Sequence, residues 1–314
     1  MEGNFKHRRE FIVKSSTINN LLVVTIICIS LSAIFVKLSD APSTVMVMYR
    51  MFLGCLLLLP LFIKHRNTLS KITKKEWVAL LFGGIFLGGH FGLWFESLNH
   101  TSVASSTLIL ALQPAIALIG GLIFFKEKMK LSTVLTLGVA FIGVLIVGGG
   151  NFGLGQEVLL GNLLSLFSVF SVVIYLLIGQ GNVKSINHWV YSFIVFFFAG
   201  LTMTIFNMIG NIPMTGYTAN DWIVFLLLAI FPTGAHIIYN LLLNYVNTTT
   251  VSMSTLGEPV GASLLAMIFF REMLTVVEVI GGSLILTGIY LFLRYQSGSN
   301  QVLSEQPKTV NNSQ

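Results

Sequence analysis

The chain has 314 residues, 10% of them charged and 54% apolar, with a mean hydropathy of +0.85; soluble domains carry about a quarter charged residues, so composition argues against a soluble enzyme. Cys28 and Cys55 both lie inside apolar runs, which excludes a disulfide-stapled secreted scaffold and a cysteine-ligated zinc or iron–sulfur site. A net charge of +6 would point to nucleic acid only if it lay on one soluble face.

A helix rising 1.5 Å per residue needs about 20 apolar residues to cross the hydrocarbon core. Such stretches fall near 19–38, 42–63, 77–98, 102–124 and 131–149, then near 159–180, 189–210, 222–245, 249–270 and 275–293. The expected fold is an all-α integral membrane protein with ten transmembrane helices. Links such as Asn99–Thr101 and Val246–Thr248 are so short that sequence neighbours should pack antiparallel. The expected domains are a polar tail over 1–17, five-helix units over 18–149 and 150–294, and a disordered tail over 295–314. A cleaved signal peptide is the competing reading of the N-terminus, but its apolar region is long for that role and Ser39/Ala41 is a weak cleavage match.

Lysine and arginine set orientation, because cytoplasmic loops hold the excess. With the N-terminus inside, 15 of the 17 loop and tail basic residues are cytoplasmic; only Lys37 and Arg271 are outside, and Arg50 lies within a helix. Both termini are therefore expected in the cytoplasm. The basic excess reads as a topology signal, and nucleic acid drops out as a partner.

Shifting the chain by 145 lays Glu76–Val147 on Asp221–Phe292 without a gap, with 15 of 72 positions identical. The register pairs Glu76-Trp77 with Asp221-Trp222, Asn99 with Asn244, Pro114 with Pro259, and Gly143 with Gly288. It also pairs Phe124-Phe125-Lys126-Glu127 with Phe269-Phe270-Arg271-Glu272. No equally clear register joins helices 1–2 to 6–7. Five helices is an odd number, so the two units should cross the membrane in opposite senses. Inverted repeats are the architecture of alternating-access carriers, with a site at the repeat interface near the midplane.

Several stretches resemble a known family: Val45–Leu57 with Arg50, Ser97–Ala104 leading to Pro114, Lys126-Glu127 before Gly138 and Gly143, and Glu258-Pro259 leading to Arg271-Glu272 and Gly288. Their order and spacing resemble the EamA-type bacterial members of the drug/metabolite transporter superfamily over roughly residues 18–294. The resemblance implies a plasma-membrane carrier of small organic solutes, often an exporter.

Gln113-Pro114 and Glu258-Pro259 lie about half-way through helices 4 and 9. Each proline removes a donor and frees the carbonyl four residues back, here Leu110 and Thr255; in hydrocarbon such a carbonyl needs a partner or a wet cavity. A satisfied kink and a pair of broken helices at a carrier's centre are the two readings. Glu258 is the sharpest residue, since a mid-span charge costs upward of about 2.5 kcal/mol. It is expected either to carry a proton or bind a cationic group, or to form a static pair with Arg50.

Glu96, near the outer end of helix 3, reads as a gate residue, an Arg50 partner or an interfacial group. Glu127 and Glu272 read as capping or pairing groups at helix ends. His90 and His236 are candidates to hydrogen-bond a solute or sense pH, or are simply satisfied by neighbours. Trp94, Tyr239 and Phe91 read as aromatic walls or packing. Small-residue ridges at Gly84/Gly88/Gly92, Gly257/Gly261 and Gly161/Ser165/Ser168 should let helices approach closely.

No His-Glu-x-x-His, paired aspartates or Ser/His/Asp set is present, so no enzyme, metal or cofactor is expected, proton coupling aside. The expected partners are a small organic solute and the bilayer, as monomer or homodimer. The reading is a secondary carrier of amino-acid-like or drug-like solutes; the alternatives are a nucleotide-sugar or sugar-phosphate exchanger and a non-transporting receptor or scaffold.

Overall fold

The computed structural model describes residues 15–126, 131–150, 155–183 and 185–304, and every regular element among them is helical. The first half holds α1 (Ser15–Lys37), α2 (Ser43–His65), α3 (Lys74–His100), α4 (Val103–Leu110), α5 (Gln113–Phe125) and α6 (Leu131–Gly150). The second holds α7 (Gln156–Asn182), α8 (His188–Ile209), α9 (Ala219–Leu242), α10 (Thr248–Ser254), α11 (Glu258–Phe270) and α12 (Val276–Ser304). Among the described residues, eight stretches are long and apolar enough to cross a membrane, counting Val103–Phe125 and Thr248–Phe270 each as one; Val134–Ile146 and Val276–Gly288 are shorter apolar helices.

Local chemistry explains the boundaries. Thr73 accepts from the Glu76 amide, and the Glu76 carboxylate returns the bond to the Thr73 amide. Thr218 and Asp221 repeat this capping box at α9, 145 residues later. Each box satisfies amide donors that the first turn leaves orphaned. Residues in the left-handed region, Lys126 (φ 53°) and Arg271 (φ 56°), end α5 and α11. α5 and α11 match over their full length in the 145-residue register, and so do the starts of α2 and α8 and the ends of α1 and α7. The register that side chains leave obscure for the first two helices of each half is thus present in their boundaries.

Packing repeats the correspondence. α3 packs on α7 as α9 packs on α1, α3 on α8 as α9 on α2, and α4 on α11 as α10 on α5. α2 packs on α8, and α6 on α12. Close approach needs glycine at two of these contacts. A Cβ on Gly84 would lie 2.3 Å from Phe198 Cβ and 2.9 Å from the Val195 carbonyl; one on Gly143 would lie 2.5 Å from the Gly281 carbonyl. Small residues let backbones meet where no hydrophobic effect drives helices together.

The two ends of the bundle are fastened by similar parts. At the end where α3 starts, Ser185 Oγ donates to Glu76 Oε1 at 2.6 Å. At the end where α9 starts, Ser39 Oγ donates to Asp221 Oδ1 at 2.6 Å. The second end also holds an ion pair, Lys37 Nζ to Glu272 Oε1 at 2.6 Å, while Glu272 Oε2 accepts from the Val103 amide that opens α4.

Two expectations meet the structure at the chain ends and one in a loop. Residues 295–304, expected as disordered tail, continue α12 to Ser304; extending a formed helix costs far less than nucleating one. Ser15–Thr17, the end of the tail expected over 1–17, open α1; the rest of that tail, residues 305–314 of the other, and Glu127 lie outside the described residues.

Candidate functional site

The spans Val103–Phe125 and Thr248–Phe270 are broken where the two prolines stand. α4 ends at Leu110, a turn holds Ala111 and Leu112, and α5 restarts at Gln113. α10 ends at Ser254, a 3-10 turn covers Thr255–Gly257, and α11 restarts at Glu258. Pro114 and Pro259 sit in the first turn of the new helices, where a missing N–H is least costly. The Thr255 carbonyl, expected to be freed, is taken by the Glu258 amide through the 3-10 turn. Gln113 Nε2 donates to Ser252 Oγ at 3.2 Å, tying the start of α5 to α10.

A cavity of about 30 Å3 lies at these breaks, room for a water molecule or two. Glu258, Gln113, His90, Trp94, His236 and Tyr239 all line it, with Leu110 and Thr255 from the breaks. α3 contributes His90, Phe91 and Trp94; α9 contributes Pro232, His236 and Tyr239; α1 adds Ile29 and Ser32, and α7 adds Val172 and Leu176. Six of the eight site residues singled out in the sequence therefore converge from four helices onto one space.

Its walls are aromatic and its polar atoms only partly paired. His90 Nδ1 meets the Ser168 hydroxyl at 2.9 Å and the Ser168 carbonyl at 3.1 Å. The Trp94 ring lies parallel to His90 with centroids 6.3 Å apart. His236 stands edge-on to Phe91 at 5.0 Å and to Tyr239 at 5.3 Å. Trp94 Nε1, His236 Nδ1 and Ser32 Oγ are buried without a hydrogen-bond partner. Buried polar groups are normally paired, so these atoms are available to a guest. Glu258 is 7% exposed.

The other two candidates lie elsewhere. Arg50 is buried behind the wall, its Nε donating to Thr233 Oγ1 at 2.9 Å. Among the described residues no ion pair joins it to Glu258: the pairs are Lys37–Glu272 and those of His100 with Glu96 and Glu157. Glu96 sits at the end of α3, 3.3 Å from His100 Nε2 and accepting from Asn99 Nδ2. Ser32 and Ser252 escaped the sequence reading; a small hydroxyl residue in an apolar span was the available signal. No group of His, Cys, Asp and Glu able to hold a metal occurs among the described residues.

Comparison with known proteins decides the class. The EamA-like transporter family matches residues 17–149 and again 159–294. The chain belongs to this family. As an EamA-like transporter it is a multi-pass membrane protein, which in bacteria means the plasma membrane. It is similar to the uncharacterized transporter YxxF of Bacillus subtilis, 24% identical over 75% of this chain and 76% of that one. An uncharacterized transporter of Archaeoglobus fulgidus is 22% identical over 87% of this chain and 95% of its own. A shorter match, 31% identical over 24% of this EamA-like chain and 65% of the relative, is to a probable 4-amino-4-deoxy-L-arabinose-phosphoundecaprenol flippase subunit ArnE of Hamiltonella defensa. One crystal structure shares the fold, with a TM-score of 0.69 at 17% identity over 91% of this chain and 99% of that one.

Proposed function

We propose that this EamA-like transporter is a secondary carrier that exports a small organic solute by alternating access. In this reading the chain crosses the membrane ten times as two inverted five-helix repeats, 18–149 and 150–294, with both termini in the cytoplasm. The 145-residue register of helix boundaries and the exchange of packing partners support the repeat. The placement of α3's start and α9's start at opposite ends of the bundle supports its inversion.

The observation that carries the reading is the convergence of Glu258, Gln113, His90, Trp94, His236 and Tyr239 on one cavity at two matched helix breaks. Broken helices at a repeat interface are where carriers bind their solutes. Glu258 takes a proton or a cationic group of the solute, Gln113 and the unpaired Trp94 and His236 nitrogens orient polar groups, and the rings of Phe91, Trp94 and Tyr239 enclose an organic body. Closure of the bundle ends by hydrogen bonds and the Lys37–Glu272 pair excludes water while the solute is held.

The test begins with a comparison of metabolites outside cells that overexpress the protein and control cells. Flux of the enriched compound is then measured in proteoliposomes. A compound exported by the wild type and not by Glu258→Gln supports the carrier; no solute difference for any compound overturns the exporter reading.

A further inference from the structure

Arg50 has no exposed surface, yet only one of its nitrogens is hydrogen-bonded. Nε donates to Thr233 Oγ1, which itself donates to the Leu228 carbonyl at 3.0 Å. Nη1 and Nη2 have no partner, and Arg50 enters no ion pair among the described residues. The guanidinium lies 3.7 Å from the centre of the Phe91 ring and 5.7 Å from that of Phe95. Ring faces attract the cation, but they accept none of the four terminal N–H bonds in the directional sense that burial demands. Glu258 acts on this charge through the field and not through a direct ion pair, and a charge held in a span without such a pair is seldom retained unless it has a task.

Phe91 itself lines the cavity. One helical turn along the same face of α3, Trp94 presents an indole N–H that is equally unpaired; indole nitrogen donates only. Arg50 Nη1 and Nη2 and Trp94 Nε1 are thus unpaired donors on either side of Phe91, with His236 Nδ1 and the Glu258 carboxylate across the same cavity, and a guest seated at the donors must bring the acceptors for them. A planar guanidinium fits a carboxylate or a phosphate through two parallel bonds.

Resting on the carrier reading above, we propose that Arg50 and Trp94 form an oxyanion subsite of the cavity, with Phe91 as the flap that covers Arg50 when no guest is bound. The solute therefore bears a single carboxylate or phosphate, placed at the donor corner, while its cationic or donor group faces Glu258. One guanidinium suits one oxyanion and not a diphosphate.

The test uses the full chain in nanodiscs and equilibrium binding of benzoate, phenyl phosphate and the neutral isostere benzamide. We expect one oxyanion to bind at least tenfold more tightly than benzamide, and the tighter arm to name the class. Arg50→Gln weakens that probe at least tenfold and Arg50→Lys weakens it less. Phe91→Ala, which leaves Arg50 intact, speeds its association at least threefold. Equal binding of all three probes, or no binding of either oxyanion, overturns the proposal; so does unchanged binding in a folded Arg50→Gln protein. If Arg50→Gln does not fold, Trp94→Phe and Phe91→Ala decide: unchanged oxyanion affinity in the first together with unchanged association in the second rejects the subsite. Binding is read without flux, so oxyanion binding with no transport rejects the carrier alone. Transport of a solute without Arg50-dependent oxyanion binding rejects the subsite alone.

Discussion

Gln113 and Glu258, 145 residues apart, each open the second half of a broken helix, and both face the same cavity. The neutral member is bonded to Ser252 across the seam between α5 and α10, while the acidic member enters no ion pair among the described residues. Two positions equivalent in the register thus have different surroundings, one bonded across the half-helices and the other lining the cavity without a direct ion pair.

Glu258→Gln keeps the shape and the first turn of α11 but removes the ionisable group. The variant is expected to insert and elute as the wild type does, and to lose the pH-driven part of solute flux. Uptake into proteoliposomes under an imposed pH gradient, compared with flux under a solute gradient alone, checks this. A pH dependence equal to that of the wild type rejects the proton role.

Ser252→Ala removes the acceptor of the Gln113 side-chain bond and leaves a buried amide group short of a partner. The expected loss is about 1–3 kcal/mol of stability, seen as a lower melting temperature in detergent. Gln113→Leu, which removes the stranded amide, should restore part of that loss when combined with Ser252→Ala. A double variant no more stable than Ser252→Ala alone would show that the bond is not what holds this seam.

Lys37 and Glu272 come from different halves of the chain and meet at one end of the bundle. Cysteines at both positions in a background lacking Cys28 and Cys55 are expected to form a disulfide that stops flux, with full recovery on reduction. Uninterrupted flux through the cross-linked protein would mean that this end stays shut throughout transport.

Gly84→Leu places a side chain where a Cβ alone already overlaps Phe198 and the α8 backbone. Forcing α3 from α8 is expected to cost about 1–3 kcal/mol or more. Gly138→Ala, with nothing within 4 Å of the added carbon, should be neutral or slightly stabilising, since alanine favours helix. Thermal unfolding followed by size-exclusion chromatography compares the two, and similar melting temperatures would refute the packing account.

Depth along a span was legible in the sequence, and direction around it was not. Apolar run length located the eight long spans, and a proline behind a polar residue located both breaks, because those signals are one-dimensional. His90, Trp94, His236 and Tyr239 were found by their mid-span polarity or aromatic repeat pairing. Arg50 lies on the far side of Phe91, and Glu96 bonds to His100 at the helix end; which way a side chain points depends on helix rotation that no residue type encodes. The register of α1–α2 with α7–α8 was hidden for a related reason. Those helices keep the end of α1 with α7 and the start of α2 with α8 in register, while the residues that fill them are not matched between the halves. Residues 295–304 were misread because polar composition suggests disorder when it does not by itself stop a helix already under way.

The hydroxyl–carboxylate fasteners Ser39–Asp221 and Ser185–Glu76 are both made in this one conformation, around a space fit only for water. In the carrier proposed above, an idle protein in this state is an insulator. On that reading, with both ends fastened and the chamber nearly empty, solutes and ions are kept from running down their gradients, and the cell keeps the ion potential that a half-open carrier would drain. A guest large enough to fill the chamber must then break one bolt to enter, so its size, and not only its charge, is what commits the protein to a cycle.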